Sequence, residues 1–321
     1  MRNYCTLFDS NYIHKGLALY QSLVSVSDDF HLFVMAFDIT CYSELKDFNL
    51  PHMTVVFLDE FETTELLEVK DSRTKAEYCW TCGPSVIFYF IQKYELESCT
   101  YLDADIMFFS SPEPIYAEIS DHSTAITEHF TKDEIGGRFC VQFVYFKNDS
   151  FGIEALTWWR DCCIEWCFSR YEDGKFGDQK YLDFFPEKFQ KVCILKNRGV
   201  GVAPWNAYQY DFSTFGKINH HSNLVDIIFY HFHGARIEFR GENLVLKSMT
   251  YNLSRDQEKN VYIPYLELIK SIYGIYFNQT VVDVLIERRS YFAHLYSKIK
   301  ATFRNSKIVQ FFYYKVLGVK H

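Results

Sequence analysis

Short apolar runs alternate along this chain with stretches of helical period. Residues 5–8 read as a buried strand. Asp9-Ser10-Asn11 is turn-like and offers an N-cap to a helix over about 14–24, where Leu17, Tyr20, Leu23 and Val24 recur at helical spacing. Strands are predicted at 31–37 and 53–58. Lys75-Ala76-Glu77-Tyr78-Cys79-Trp80-Thr81-Cys82-Gly83-Pro84 leads into a strongly apolar helix over 85–94. The stretch 100–109 is apolar on both sides of Asp103-Ala104-Asp105. Strands at 125–127 and 140–146 follow, then a Trp- and Leu-rich helix over 151–170, a polar turn entering a helix at 174–182, a strand at 192–195 and an irregular loop at 199–206. A strand at 227–230 ends in His231-Phe232-His233-Gly234. Strand alternating with helix predicts an α/β protein with a mostly parallel central sheet flanked by helices, whose ligands sit beyond the carboxyl ends of the strands. From about Val281 the pattern changes. Phe292, Leu295, Tyr296, Ile299 and Phe303 recur every three to four residues, with Lys298, Lys300, Arg304 and Lys307 between them, which reads as a basic amphipathic helix.

Charge sharpens that division. The net charge is −8, yet residues 287–321 hold eight Lys/Arg against one Glu, so residues 1–286 carry −15. A basic, aromatic tail on an acidic body points to an anionic membrane surface as partner and away from nucleic acid, which the body would repel. No apolar run is long enough to span a bilayer and no leader precedes the first strand, so a cytoplasmic protein, peripheral at the inner face of the cell membrane, is expected. The ten Cys then read as reduced thiols: Cys79 and Cys82 form a CxxC without a second pair at zinc-finger spacing. Aromatics make up 19% of the chain, which suits cores, sugar-stacking surfaces and membrane interfaces alike.

Asp103 and Asp105 are the candidate chemistry. In an extended segment, residues i and i+2 point to the same side. Two like charges at a buried strand end are costly unless a cation neutralises them, and Mn²⁺ or Mg²⁺ takes carboxylate oxygens while keeping positions open for phosphate. His231, at a later strand end, is placed to join them. Neither a GxGxxG nor a P-loop signature is present, so nucleotide phosphates would have to be held through a metal and side chains. A strand cap, for the acid pair alone, and a packed imidazole, for His231, are the competing readings.

Five blocks in order resemble GT-A-fold glycosyltransferases that use nucleotide sugars, in particular bacterial nucleotide-diphospho-sugar transferases related to glycosyltransferase family 8. They are Thr6-Leu7-Phe8-Asp9 with Tyr12, Glu77-Tyr78-Cys79-Trp80-Thr81, Asp103-Ala104-Asp105, Gly177-Asp178-Gln179-Lys180-Tyr181 and His231-Phe232-His233-Gly234. The resemblance spans about residues 4–234. It implies a Rossmann-like GT-A catalytic domain, taken here as 1–270, followed by a helical basic extension at 271–321. It implies Asp103, Asp105 and His231 as ligands of Mn²⁺ or Mg²⁺, with Thr6, Asp9 and Tyr12 touching nucleobase and ribose. Phe8 and Ala104 lie within the donor-binding blocks. Asp178 and Gln179 would face the donor sugar as catalytic residues. The family's Lys-Pro-Trp beyond the glycine is replaced by Ala235-Arg236-Ile237-Glu238-Phe239, which leaves Arg236 and Lys75 as candidates for the diphosphate. The implied activity is metal-dependent hexosyl transfer from a nucleotide-diphosphate sugar, UDP by family precedent, to a glycan or lipid-linked acceptor in surface polysaccharide synthesis, with retention. A sugar nucleotidyltransferase and a non-catalytic sugar- or lipid-binding protein on the same scaffold are the alternatives.

Overall fold

The computed structural model describes residues 1–131, 136–248 and 251–287. The order is β1 (Arg2–Phe8), α1 (Ile13–Val26), β2 (Phe30–Ala36), α2 (Ile39–Phe48), β3 (Met53–Phe57), α3 (Thr64–Lys70), α4 (Lys75–Lys93) and β4 (Ser98–Leu102). Next come β5 (Ile106–Phe108), α5 (Glu113–Ile119), β6 (Thr124–Glu128), β7 (Phe139–Lys147), α6 (Ser150–Glu165), α7 (Phe185–Lys188) and β8 (Val192–Leu195). The last third holds β9 (Lys217–His220), β10 (Asn223–Asp226), β11 (Phe229–His231), β12 (Ala235–Arg240), β13 (Asn243–Ser248), α8 (Arg255–Gln257), α9 (Ile263–Tyr276) and β14 (Val284–Glu287).

A seven-stranded sheet of order β3-β2-β1-β4-β7-β6-β8 forms the centre. Strands β3, β2, β1 and β4 run parallel, β7 runs antiparallel to β4 and β6, and β8 is again parallel to β6. The expected mixed, mostly parallel sheet is therefore present. Strand alternation feeds two cores, one on each face. Tyr4 and Phe8 of β1 and Phe30, Leu32 and Val34 of β2 join the core under α1 and α9. Their neighbours Cys5, Leu7, Phe33 and Met35 join the core under α4 and α6. In β7, Phe139 and Val141 face the second core, but so do Val144 and Phe146. The parity changes where the register with β6 shifts between Ala125 and Thr127, an irregularity that re-aims the residues beside it.

Several boundaries differ from expectation. Helix α4 starts at Lys75, ten residues before the predicted start. Thr74 and Glu77 form a reciprocal capping box that begins the helix, and Pro84 sits inside it, leaving the Trp80 carbonyl without its usual donor. Helix α2, capped by the Asp38 side chain on the Cys41 N–H, was not read from the sequence. Asp103-Ala104-Asp105 is a turn between β4 and β5 and not a strand. Residue 270, the expected domain boundary, lies inside α9. The helix expected from Val281 is not what the described residues form: Val284–Glu287 is a strand parallel to β13. The Phe292–Lys307 pattern lies outside the described residues, among which no helix is long and apolar enough to cross a membrane.

Candidate active site at the Asp103–Asp105 turn

Strands β1 and β4 are neighbours, and the turns that follow them place Asp9 and Asp103 beyond adjacent carboxyl ends. After the Asp turn the chain leaves the central sheet. Strand β5 pairs antiparallel with β11, matching Ile106 to His231, and the Phe232 N–H donates to the Asp105 carbonyl oxygen at 2.8 Å. The acid pair and the histidine are thus fixed by one short ladder. His231 Nε2 lies 2.9 Å from Asp105 Oδ1 and 3.7 Å from Asp103 Oδ2. Convergence comes from the turn and this pairing, not from the extended alternation expected.

The histidine is oriented from behind. Its Nδ1 donates to Gln142 Oε1 at 2.9 Å, which turns Nε2 toward the carboxylates. Gln142 is fully buried in β7, and its Nε2 has no hydrogen-bond partner among the described residues. Gly201 lets it lie there: at φ +73° it carries no Cβ, which would stand 2.7 Å from Gln142 Nε2. Trp205 holds the imidazole edge-on, ring centroids 5.2 Å apart.

A second cation completes the turn. Lys15 of α1 is 5% exposed, its ammonium 3.6 Å from Asp105 Oδ2 and 4.2 Å above the Tyr12 ring. Burial resists ionisation of Asp105, but His231 and then Lys15 outweigh it and hold the carboxyl below the usual carboxylate range. Burial dominates at Asp103, against the pull of His231, and pushes it up to about 7. His231 is raised well above an ordinary imidazole, because Asp105 overcomes the penalty of burial. Cys140, buried at the start of β7, is drawn down to about 6 against its burial by His129 and His231.

Asp103, His231 and Cys140 border a cleft of about 650 Å³ whose lining also includes Trp80, His129, Asp178, Gln179, Trp205 and His233. Asp178 is 8% exposed, and burial, with the charge of Asp103, pushes it up to about 8. Its main chain is fixed by the Trp159 indole, which donates to the Asp178 carbonyl at 2.9 Å. Gln179 opens a six-residue 3₁₀ helix, Gln179–Phe184, and its amide occupies the space a side chain at Gly136 would need, 2.6 Å from that Cβ position. A larger cavity, about 860 Å³, lies among α3, α4 and α6 and shares no lining residue with this cleft.

The structure divides the remaining expected contacts. Thr6 and Phe8 are buried in β1, Phe8 against Gly16, and support the strand end from below. Asp9 caps the turn at Asn11 and pairs with Lys75, while Tyr12 is 42% exposed. Ala104 is buried between the two acids. Arg236 stands exposed on β12 beyond Gly234. Lys15, Gln142, Cys140 and His129 were missed. Gln142, a lone amide in the apolar run 140–146, was the one with a readable signal. Among the described residues no three His, Cys, Asp or Glu side chains already stand at metal-ligand geometry. The donor set nevertheless fits a hard divalent ion: two carboxylates and one imidazole nitrogen turned toward them by its other nitrogen's hydrogen bond.

No family model matches the chain. The Bacillus subtilis (strain 168) proteins YfnF and YfnD, both uncharacterized, are 34% and 32% identical to it over 248 and 280 residues, which is 73% and 84% of this chain and 82% and 88% of theirs. Among solved structures, the galactosyltransferase LgtC in complex with donor and acceptor sugar analogues matches with a TM-score of 0.52 at 12% identity, over 84% of this chain and 95% of that one. The glycosyltransferase GlyE of Streptococcus pneumoniae TIGR4 matches with 0.50 at 13% identity, over 86% of this chain and 62% of that one. At such identities the likeness is one of fold, and it is the GT-A fold expected from the sequence.

Proposed function

This chain belongs to the family of the Bacillus subtilis proteins YfnF and YfnD, and on that premise we propose that it is a metal-dependent glycosyltransferase taking its sugar from a nucleotide-diphosphate donor. The observation that carries this reading is the convergence of Asp103, Asp105 and the Gln142-oriented His231 at the mouth of a cleft that also holds Asp178 and Gln179. Asp103, Asp105 and His231 would hold Mn²⁺ or Mg²⁺, whose chemistry there is Lewis-acid stabilisation of the departing diphosphate. Asp9 and Tyr12 bind the nucleoside, and UDP is the expected carrier.

Asp178 supports transfer with retention. A carboxyl pushed up to about 8 is largely protonated at neutral pH and is a poor base for an acceptor hydroxyl. The acceptor proton then passes to the leaving phosphate oxygen as the sugar's bond to phosphate breaks and its bond to the acceptor forms. Asp178 and Gln179 orient the sugar through hydrogen bonds, and Trp80 supplies a flat apolar wall. The acceptor we propose is a glycan or lipid-linked glycan of surface polysaccharide, reached at an anionic membrane through residues 287–321. The charge of that segment supports this attachment, and its deletion should abolish sedimentation with anionic vesicles.

The deciding experiment is a panel of nucleotide sugars, UDP-hexoses first, incubated with the chain and Mn²⁺ or EDTA. Metal-dependent stabilisation by a subset of donors, with slow release of the nucleoside diphosphate, is expected. No binding or turnover with any donor in the presence of Mn²⁺ would overturn the reading.

A further inference from the structure

We infer that the Lys15 ammonium is the protein's grip on the donor diphosphate, an inference that rests on the nucleotide-sugar reading above. The reason is an incomplete set of bonds around a buried charge. Lys15 is 5% exposed, and among the described residues its ammonium has two neighbours of opposite character. Asp105 Oδ2, at 3.6 Å, is an ion-pair partner beyond hydrogen-bond length, and the Tyr12 ring, at 4.2 Å, offers only its face. A primary ammonium has three N–H donors, and burying them without acceptors is costly. A site that keeps such a group desolvated, beside a carboxylate too far to bond it well, is suited to accept oxygen atoms from a ligand.

Position identifies those oxygens. In a nucleotide sugar the diphosphate lies between the ribose and the sugar, and the metal rests on it. Tyr12 belongs to the nucleoside side of this site and Asp105 to the metal side. Lys15 touches both. The charges also close. A divalent cation added to Asp103 and Asp105 weakens the hold of Asp105 on Lys15 and frees the ammonium for a phosphate oxygen. Lys15, metal and diphosphate then form one alternating series. Lys75 is already bound to Asp9, and Arg236 is exposed on β12, so neither sits at this junction.

The test uses the full chain with UDP, UMP and uridine as probes, each titrated calorimetrically with and without Mn²⁺. For the parent, UDP should bind more tightly than UMP. Lys15→Met should weaken UDP by at least roughly tenfold, as expected for loss of a charge-assisted hydrogen bond. UMP and uridine should stay within about twofold, and Lys15→Arg should recover most of the UDP affinity. Lys75→Ala and Arg236→Ala should change the UDP-to-UMP ratio little. An unchanged ratio in Lys15→Met overturns the inference, as does an equal loss for all three probes, which would mark a packing role. If Lys15→Met does not fold, Lys15→Gln, which keeps length and polarity, decides on the same ratio. A parent that binds nucleosides with no gain from the second phosphate overturns this inference alone. A parent that binds no nucleotide at all overturns the nucleotide-sugar reading with it.

Discussion

The turn at Asp103–Asp105 and the loop at Asp178 border one cleft, and both bury carboxylates, yet they hold them in different states. Asp105 is enclosed by His231 and Lys15, and those two cations keep it ionised despite its burial. Asp178 has no ion-pair partner among the described residues, and burial pushes it up to about 8. Asp103 stands between them in charge as in space, pushed up to about 7 although His231 is near. Burial alone therefore does not decide what an acid can do. On the proposed function, the first region would exchange one cation for another and the second would present a neutral carboxyl to a neutral sugar.

The largest effect should come from removing the charge in the first region. Asp105→Asn keeps the shape and loses the anion, and metal-dependent nucleotide binding should fall by about 100-fold or more. The measurement is nucleotide affinity with Mn²⁺ against EDTA, and a gap as wide as the parent's would break the contrast between the two acids. A smaller effect should follow from Gln142→Leu, which leaves both acids and the histidine in place but frees the ring. Mn²⁺ affinity in the nucleotide complex, read from the spin-resonance signal of the free ion, should weaken by roughly tenfold. Unaltered affinity would mean that His231 needs no orienting partner.

The smallest effect concerns Asp178 and needs no ligand. Its carboxyl is raised from the ordinary 3.8 to about 8 in the folded chain, so the folded state holds its proton more tightly than the unfolded state does. Stability from this group is complete below about 4 and is lost as the pH rises toward 8. Asp178→Asn does not suffer that loss, so its melting temperature should rise relative to the parent's between pH 5 and pH 8, by roughly a few degrees. A constant difference across that range would place Asp178 in an ordinary ionised state and erase the comparison.

Much of the frame was readable because its signals are local. Apolar runs announced β1, β2, β3 and β7, and the helical spacing of Leu17, Tyr20 and Leu23 announced α1. The acids, His231, Asp178 and Gln179 were chosen from ordered motifs, and the fold gathers them at one cleft. What stayed hidden depends on long-range packing. Lys15 lies on a helix face that its own neighbours do not reveal as buried, because the Asp turn meets it from elsewhere in the chain. The resemblance placed Thr6 and Phe8 in a donor-binding block, and the burial of both, with Phe8 against Gly16 of α1, depends on packing that the motif does not show. The start of α4 was placed at residue 85, beyond Gly83-Pro84, whereas the Thr74–Glu77 capping box begins the helix at Lys75 and packing on both halves tolerates one missing hydrogen bond.

The β5–β11 ladder also sets an order of assembly. As the chain leaves the ribosome, the two acids emerge early, whereas the strand bearing His231 follows more than about a hundred residues later, and closing a loop of that length is slow. Until then the edge of β5 is unpaired and the acid turn is only a point of repulsion. A chain released before β11 would already contain β1 to β8 and the residues of one whole core, but its acid turn would lack His231. The acid turn is thus completed only after most of the sheet that carries it has been made.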